Sequence, residues 1–231
     1  MRTLYALLFL GAIACSVVSC GGKSKSDAAA KYTLTAGTDN QGNRVEDSTL
    51  APVKTFLEQD LAQWMASFTG IHIDSFRNIQ KSDFENTEYD QTTDLTKFYE
   101  LYKASCNFSP DSSQFIDLYS AGLMLEKKGK KIIASADVDQ AVTLCDLKNK
   151  EWKRIASFGP SAGIEEAIWI SPSTFILAGV MYNDNGQPTP LLMIGDINKR
   201  SFRWFEANSV RPPSSKYEPS GLKKLKIDEW E

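Results

Sequence analysis

The stretch from residue 106 to 206 reads as short strands joined by tight turns, and that pattern limits the fold more than any other feature of the chain. Apolar residues alternate or cluster at 115–119, 123–125, 132–136, 141–147, 152–158, 164–170, 175–181, 191–197 and 202–205. Runs of this length, with a turn signal roughly every 8–12 residues, predict an antiparallel meander. The turns are supplied by Lys128-Gly129-Lys130, Lys148-Asn149-Lys150, Asn183-Asp184-Asn185-Gly186 and Asn198-Lys199-Arg200. Gly and Asn accept the positive φ that tight hairpins require.

The meander carries an internal repeat. Leu144-Cys145-Asp146-Leu147-Lys148-Asn149-Lys150-Glu151-Trp152 aligns with Ile194-Gly195-Asp196-Ile197-Asn198-Lys199-Arg200-Ser201-Phe202 at an offset of fifty. Both read strand, Asp, aliphatic, basic turn, aromatic strand. Upstream, Phe108-Ser109-Pro110-Asp111 answers to Ile170-Ser171-Pro172-Ser173 at an offset of sixty-two, so the first unit is longer by about twelve residues. These motifs resemble the blades of TolB-type and WD-repeat β-propellers over residues 106–206. The resemblance implies that the Ser-Pro-Asp turn joins the first two strands of a unit and that the later Asp closes the turn between its last two. It implies architecture and no chemistry. A closed ring needs about four to eight blades, and this chain has room for two. The expected fold is therefore mainly β with α+β character. It would be an antiparallel meander or sandwich of two blade-like four-stranded units, preceded by one or two helices that cover its open edges.

A helix is predicted ahead of the meander, capped by Ser48 or Thr49 and starting near Ala51-Pro52, with Val53, Leu57, Leu61, Trp64 and Phe68 on one face until Gly70. Residues 71–93 read as polar and irregular, with Phe76 and Phe84 as isolated anchors, and a second helix is expected from Asp94 through Ala104. The expected division is a helical part over 48–105, the meander over 106–206 and an irregular tail over 207–231, all in one domain, with Leu222, Leu225, Ile227 and Trp230 available to dock back.

The N-terminus carries an address. Arg2 precedes an uncharged apolar run that gives way to Gly21-Gly22-Lys23, too short to span a bilayer, as a signal-peptide core is. Val17-Val18-Ser19-Cys20 resembles the lipobox of bacterial lipoproteins, which implies cleavage after residue 19 and lipid on Cys20. Residues 20–47 are rich in Gly, Ser, Lys, Asn and Asp and read as a flexible tether, with a reach of tens of ångströms by square-root scaling. The whole pattern resembles small lipoproteins of Bacteroidetes-like bacteria, which implies the outer membrane. The residues after Cys20 carry no acid until Asp27, which favours its periplasmic face over the cell surface. The expected membrane contact is the lipid on Cys20. A mature chain with 25 Lys plus Arg against 29 Asp plus Glu does not suggest nucleic acid as a partner.

Chemistry is thin. Cys106 and Cys145 are the only cysteines left once Cys15 is cleaved off and Cys20 is acylated; in an exported compartment they can form a disulfide, or each can simply pack as a buried thiol. With one histidine, His72, no zinc-type ligand set can be assembled, and neither a metal nor a cofactor is expected. Gly159-Pro160-Ser161-Ala162-Gly163 matches the Gly-x-Ser-x-Gly string of hydrolases, but a strand pattern follows it and His72 lies upstream, so a loop is the simpler reading. Asp117, Asp137, Asp139 and Glu165-Glu166 are the candidate carboxylates for glycoside cleavage. Adjacent glutamates on a regular strand point to opposite faces, so Glu165 and Glu166 should not form a dyad. Asp137, Asp139 and Asp146 lack the spacing of a Ca²⁺ loop. Trp152, Trp169, Phe202 and Trp204 can pack or, if exposed, stack on a sugar or peptide. The expectation is a non-enzymatic binding or scaffold module for a protein or glycan, with no catalytic residues; the alternative is an envelope polymer hydrolase using paired carboxylates.

Overall fold

The computed structural model describes residues 50–231 except 52, 86 and 89–93. The signal peptide, Cys20, the tether and the Ser48 or Thr49 cap lie outside the described residues. Helices α1 (Lys54–Gln59) and α2 (Ala62–Ala66) are followed by β1 (Arg77–Asp83), β2 (Thr87–Glu88) and α3 (Leu95–Tyr102). The first repeat unit holds β3 (Asn107–Phe108), β4 (Gln114–Asp117), β5 (Leu123–Lys128), β6 (Lys131–Ala136), β7 (Gln140–Asp146) and β8 (Glu151–Phe158). The second holds β9 (Ala162–Ser171), β10 (Thr174–Tyr182), β11 (Pro188–Asp196) and β12 (Ser201–Glu206), and α4 (Ser220–Lys224) and β13 (Glu229–Trp230) come last. The fold is mainly β. No helix among the described residues is long and apolar enough to cross a membrane.

The strands form two open five-stranded antiparallel sheets, β2-β8-β7-β4-β3 and β1-β12-β11-β10-β9, and a three-stranded sheet β13-β6-β5. The two larger sheets repeat one register. Cys145 lies opposite Phe115 and Trp152, and fifty positions on Gly195 lies opposite Phe175 and Phe202. Both hairpin turns hold a non-glycine residue at positive φ in the same place, Lys150 at 55° and Arg200 at 52°. Asp146 accepts hydrogen bonds from the Lys148 and Asn149 amides, and Asp196 accepts one from Lys199. The extra length of the first unit is the β5–β6 hairpin, which replaces the short turn at Asn183 to Gly186.

The sheets pack face to back. The Phe175, Met193, Phe202 and Trp204 face of the second sheet meets the Ile116 and Val142 face of the first. The other face of the second sheet, with Ile176, Ala178, Leu192, Ile194 and Phe205, is covered by α1 and α2. The other face of the first, with Phe115, Cys145 and Trp152, is covered by Phe98 of α3. The helices thus cover the outer faces of the stack rather than its edges, because an apolar sheet face exposes far more surface than an edge does.

Three sequence expectations need correction. The single N-terminal helix is two short ones: the Asp60 and Leu61 amides both bond to the Phe56 carbonyl, and the ladder restarts where Met65 N–H meets the Leu61 carbonyl. The whole stripe of Val53, Leu57, Leu61, Trp64 and Phe68 is nonetheless buried. The part over 48–105 is not all helical, since β1 and β2 lie within it as the outermost strands of the two large sheets, beside β12 and β8. Their half-exposed polar residues, such as Asn78, Gln80 and Ser82, give no apolar alternation to read. The tail over 207–231 is not irregular throughout. It forms α4, whose Leu222 packs into the inter-sheet core together with Leu225 just past its end, and β13, which pairs parallel to β6. Trp230 stays 54% exposed.

Candidate functional site

The densest polar arrangement among the described residues is built on an irregularity in β9. Gly179 of β10 pairs with Ile164 while its neighbour Ala178 pairs with Glu166, so Glu165 is an extra residue on β9. Such a bulge cancels the alternation of side chains across it. Counting in from either end of the strand, Glu165 and Glu166 fall on the same side, which overturns the expectation that they point to opposite faces. Gly179 is required here, because a Cβ would stand 2.0 Å from the Gly163 carbonyl oxygen and 2.8 Å from the Ile164 Cα.

Both carboxylates are taken up by the segment that follows β12. Arg211 forks onto Glu165, with Nη1 2.5 Å from Oε1 and Nη2 2.7 Å from Oε2. Trp64 Nε1 of α2 donates to the same Glu165 Oε2 at 2.9 Å. Arg211 Nε donates to Ser67 Oγ at 3.0 Å, and the guanidinium lies 4.5 Å from the ring centre of Phe68 and 4.8 Å from that of Tyr217. Glu166 accepts from the Tyr217 hydroxyl, from the Ser220 amide at 2.6 Å and from Ser220 Oγ at 2.5 Å. Burial, then the hydrogen bond to Glu166, push the Tyr217 phenol far above its ordinary pKa, so it remains a donor. The Arg211 and Glu165 side chains are only 12% and 16% exposed. A bidentate pair with the cation over two aromatic rings is the geometry in which arginine outperforms lysine.

This arrangement fastens α2, β9 and the tail together and leaves neither glutamate free. A glycosidase pair needs one protonated acid and one available base or nucleophile facing a substrate. Here Glu165 is neutralised by Arg211 and Glu166 is held by three donors.

No family model matches the chain. No curated protein and no solved structure is significantly similar to it either.

The other sequence candidates do not converge. His72 is exposed and its amide donates to Ser75 Oγ in a 3₁₀ turn. Ser161 is exposed in the loop between β8 and β9 and is followed by strand. Asp137 and Asp139 are exposed beside Val138, and Asp146 serves its hairpin turn. No group of three or more His, Cys, Asp or Glu among the described residues is placed to hold a metal ion. Asp117 is buried at the end of β4, where its carboxylate accepts from the Tyr119 and Ser120 amides and the Ser120 hydroxyl. Burial pushes its carboxyl above the usual carboxylate range, against those hydrogen bonds.

Cys106 and Cys145 are free, buried thiols in the cluster under α3, and burial pushes both far up. Cys106 immediately precedes β3 and Cys145 lies on β7, with β4 between them. Two strand spacings amount to about 9–10 Å, more than the ~7 Å between Cα atoms that a disulfide can bridge. Trp152 and Trp204 are buried, Phe202 is fully so, and Trp169 packs on Phe175 and donates to the Asn107 carbonyl of the other sheet at 2.8 Å. The aromatics of the repeat are core, not a stacking platform.

Arg211 and Tyr217 were not legible as partners of Glu165 and Glu166. Arg211-Pro212-Pro213 reads only as a break in regular structure, and nothing local marks the bulge except the glycines Gly163 and Gly179 that crowd against it.

Proposed function

We propose that this chain is a lipid-anchored protein of the bacterial cell envelope, held by lipid on Cys20 at the periplasmic face of the outer membrane. Its folded part acts as a non-enzymatic binding or scaffold module for a protein or glycan. The observation that carries the reading is the fate of the adjacent carboxylates. The adjacent acids Glu165 and Glu166, gathered on a common side of β9, are spent on Arg211, Trp64, Tyr217 and Ser220. The packing supports it as well, since the apolar faces of both repeat sheets are covered, which leaves loops, strand edges and the open face of the β5–β6 hairpin for a partner. Each buried methylene contributes about 0.8 kcal/mol, so two or more acyl chains would hold the module at the membrane.

Crosslinking in cells followed by partner identification tests the binding role, and the expected result is a discrete protein or glycan adduct that requires the folded part. Cys20→Ser should move the chain from the membrane to the soluble fraction with its circular dichroism unchanged. Turnover in a panel of glycan and peptide substrates that is lost in Glu165→Gln or Glu166→Gln, with folding intact, would sink the non-enzymatic reading.

A further inference from the structure

We infer that the outer edge of β6 is a docking site for an extended acidic segment of a partner protein, and that residues 228–231 of this chain fill it as a built-in plug. The inference deepens the binding-module reading and rests on it.

Strand β13 is attached almost only through its backbone. Asp228 N–H donates to the Ile132 carbonyl at 2.9 Å, the Asp228 carboxylate accepts from Ile132 N–H at 2.8 Å, and Glu231 N–H donates to the Ala134 carbonyl at 2.9 Å. Glu229 and Trp230 sit opposite Ile133 and Ala134, and both are exposed. Leu225 is buried and Ile227 packs on the core, so the apolar anchoring stops just before the plug begins. What remains besides the backbone bonds and the Asp228 carboxylate is a pair of exposed ion pairs, Lys131 with Glu229 at 3.5 Å and Lys128 with Glu231 at 3.1 Å. Exposed pairs of this kind contribute little to stability.

Such a strand is displaceable, and what it vacates is a row of unpaired N–H and C=O groups. Extended peptides add to sheets at edges of this sort, with backbone bonds giving affinity and flanking side chains giving selectivity. The flanks are basic: Lys127, Lys128, Lys130 and Lys131 surround the β5–β6 turn and all are exposed. Lysines on an edge ordinarily keep strands apart. Here two of them are matched by acids of the added strand, so they select for an acidic occupant rather than exclude every occupant. The plug itself, Asp228-Glu229-Trp230-Glu231, displays the recognised chemistry: three acids on an extended backbone.

The test uses a fluorescent peptide of the sequence of residues 226–231 and a copy with its acids changed to lysine. Added in excess to the unmodified chain, the acidic peptide should accelerate amide hydrogen exchange at Asp228 and Glu231, and the basic copy should not. A chain stopped after Ile227 should bind the acidic peptide about 10-fold or more tighter than the full chain, because a tethered plug competes at an effective concentration of roughly millimolar. Asp228→Pro, which removes the amide and the carboxylate that grip Ile132 but keeps the rest of the plug, should act in the same direction. Adding Lys128→Glu and Lys131→Glu to the shortened chain should reverse the gain.

Equal binding by full and shortened chains with unchanged near-ultraviolet circular dichroism, or equal binding of the two peptides, would overturn the inference. So would concentration-dependent association of the full chain that vanishes on shortening, since the occupant would then be a second copy. A crosslinked envelope partner that survives the Lys128→Glu and Lys131→Glu changes would remove this edge as the site while leaving the binding-module reading standing.

Discussion

The two large sheets are versions of one unit, and they differ in what lies on their outer faces. The second sheet is apolar on both sides. In β10 every residue from Phe175 to Val180 is buried, and in β11 every residue from Leu191 to Gly195 is. The outer face of the first is covered only where α3 lies on it, and β8 mixes buried Trp152, Ile155, Ala156 and Phe158 with open Glu151 and Ser157. Continuous apolar runs belong to strands buried on both faces and alternation to strands buried on one. The caps differ as well: α1 and α2 are fastened to their sheet by the Arg211–Glu165–Trp64 cluster, whereas α3 is held on its sheet by aromatic packing of Phe98 on Phe115 and Trp152, with the Tyr102 hydroxyl bonded to the Leu123 carbonyl and the Leu125 amide of β5.

The largest test of that contrast is to remove one fastening from each cap. Arg211→Ala strands Glu165 in a site only 16% exposed and should cost about 3–5 kcal/mol, the usual penalty for breaking a buried pair. Phe98→Ala should cost a similar 3–5 kcal/mol by a different route, through a cavity. Urea denaturation reads both, and salt separates them. Arg211→Lys should recover only part of the loss, since lysine cannot fork or stack, while Phe98→Leu should recover most of it. Full recovery by Arg211→Lys would mean that the guanidinium geometry is irrelevant.

A second test exchanges residues at one repeat position. Gly195 faces the Phe175 ring so closely that a Cβ would lie 2.3 Å from it, whereas Cys145 in the first sheet packs beside Phe115. Gly195→Cys should therefore destabilise by about 1–3 kcal/mol through overpacking, and Cys145→Ala by roughly 1 kcal/mol through a small cavity. If the glycine variant is tolerated as well as the cysteine variant, the two faces are not packed differently. Mass spectrometry of the unreduced parent should find Cys106 and Cys145 separately alkylated after unfolding; a linked pair would require β3 to leave β4.

Much of this was legible. The repeat, its turns at Asp146 and Asp196, the extra length of the first unit and the apolar stripe from Val53 to Phe68 follow from local spacing, and the structure keeps each of them in register. Strands β1 and β2 were not, because half-exposed strands that gain their stability from a neighbour's backbone need not display an apolar pattern. The bulge at Glu165 was not either. A one-residue insertion is defined by pairing between strands, and nothing in Ile164-Glu165-Glu166-Ala167 distinguishes a bulge from regular alternation. The clamp was therefore invisible, since it depends on the bulge and on residues 46 to 101 positions away.

Asp117 offers a third test, because it marks where the first unit departs from the second. In the shared register it stands where Leu177 stands, and its bonds to the Tyr119 and Ser120 amides turn the chain out of β4 toward the inserted β5–β6 hairpin. Its carboxyl pKa is raised in the folded chain, so the folded state binds this proton more tightly than the unfolded state does. The favourable contribution is complete below the ordinary value near 3.8 and is lost as pH rises through the folded value. Asp117→Asn keeps the acceptor for both amides and removes the titration. Its stability relative to the parent should rise from pH 3 to pH 7, by about 1.4 kcal/mol for each unit of upward shift. A variant that only loses stability, with the parent's pH dependence intact, would mean that the ionised carboxylate is needed to hold the turn.

The smallest effect tests whether the repeated hairpins are energetically as well as geometrically alike. Lys150 and Arg200 occupy the left-handed region at the same turn position, where a side chain costs about 1–2 kcal/mol and glycine nothing. Glycine gives back part of that gain through the entropy of the unfolded chain. Lys150→Gly and Arg200→Gly should each stabilise by about 0.5–1 kcal/mol, and the double variant should show the sum within roughly 0.5 kcal/mol. Equal single effects would mean that each hairpin is set by its own turn, whatever covers its sheet. A gain confined to Lys150→Gly would mean instead that burial of the second sheet on both faces already fixes its register, and that the turn at Arg200 follows from the packing.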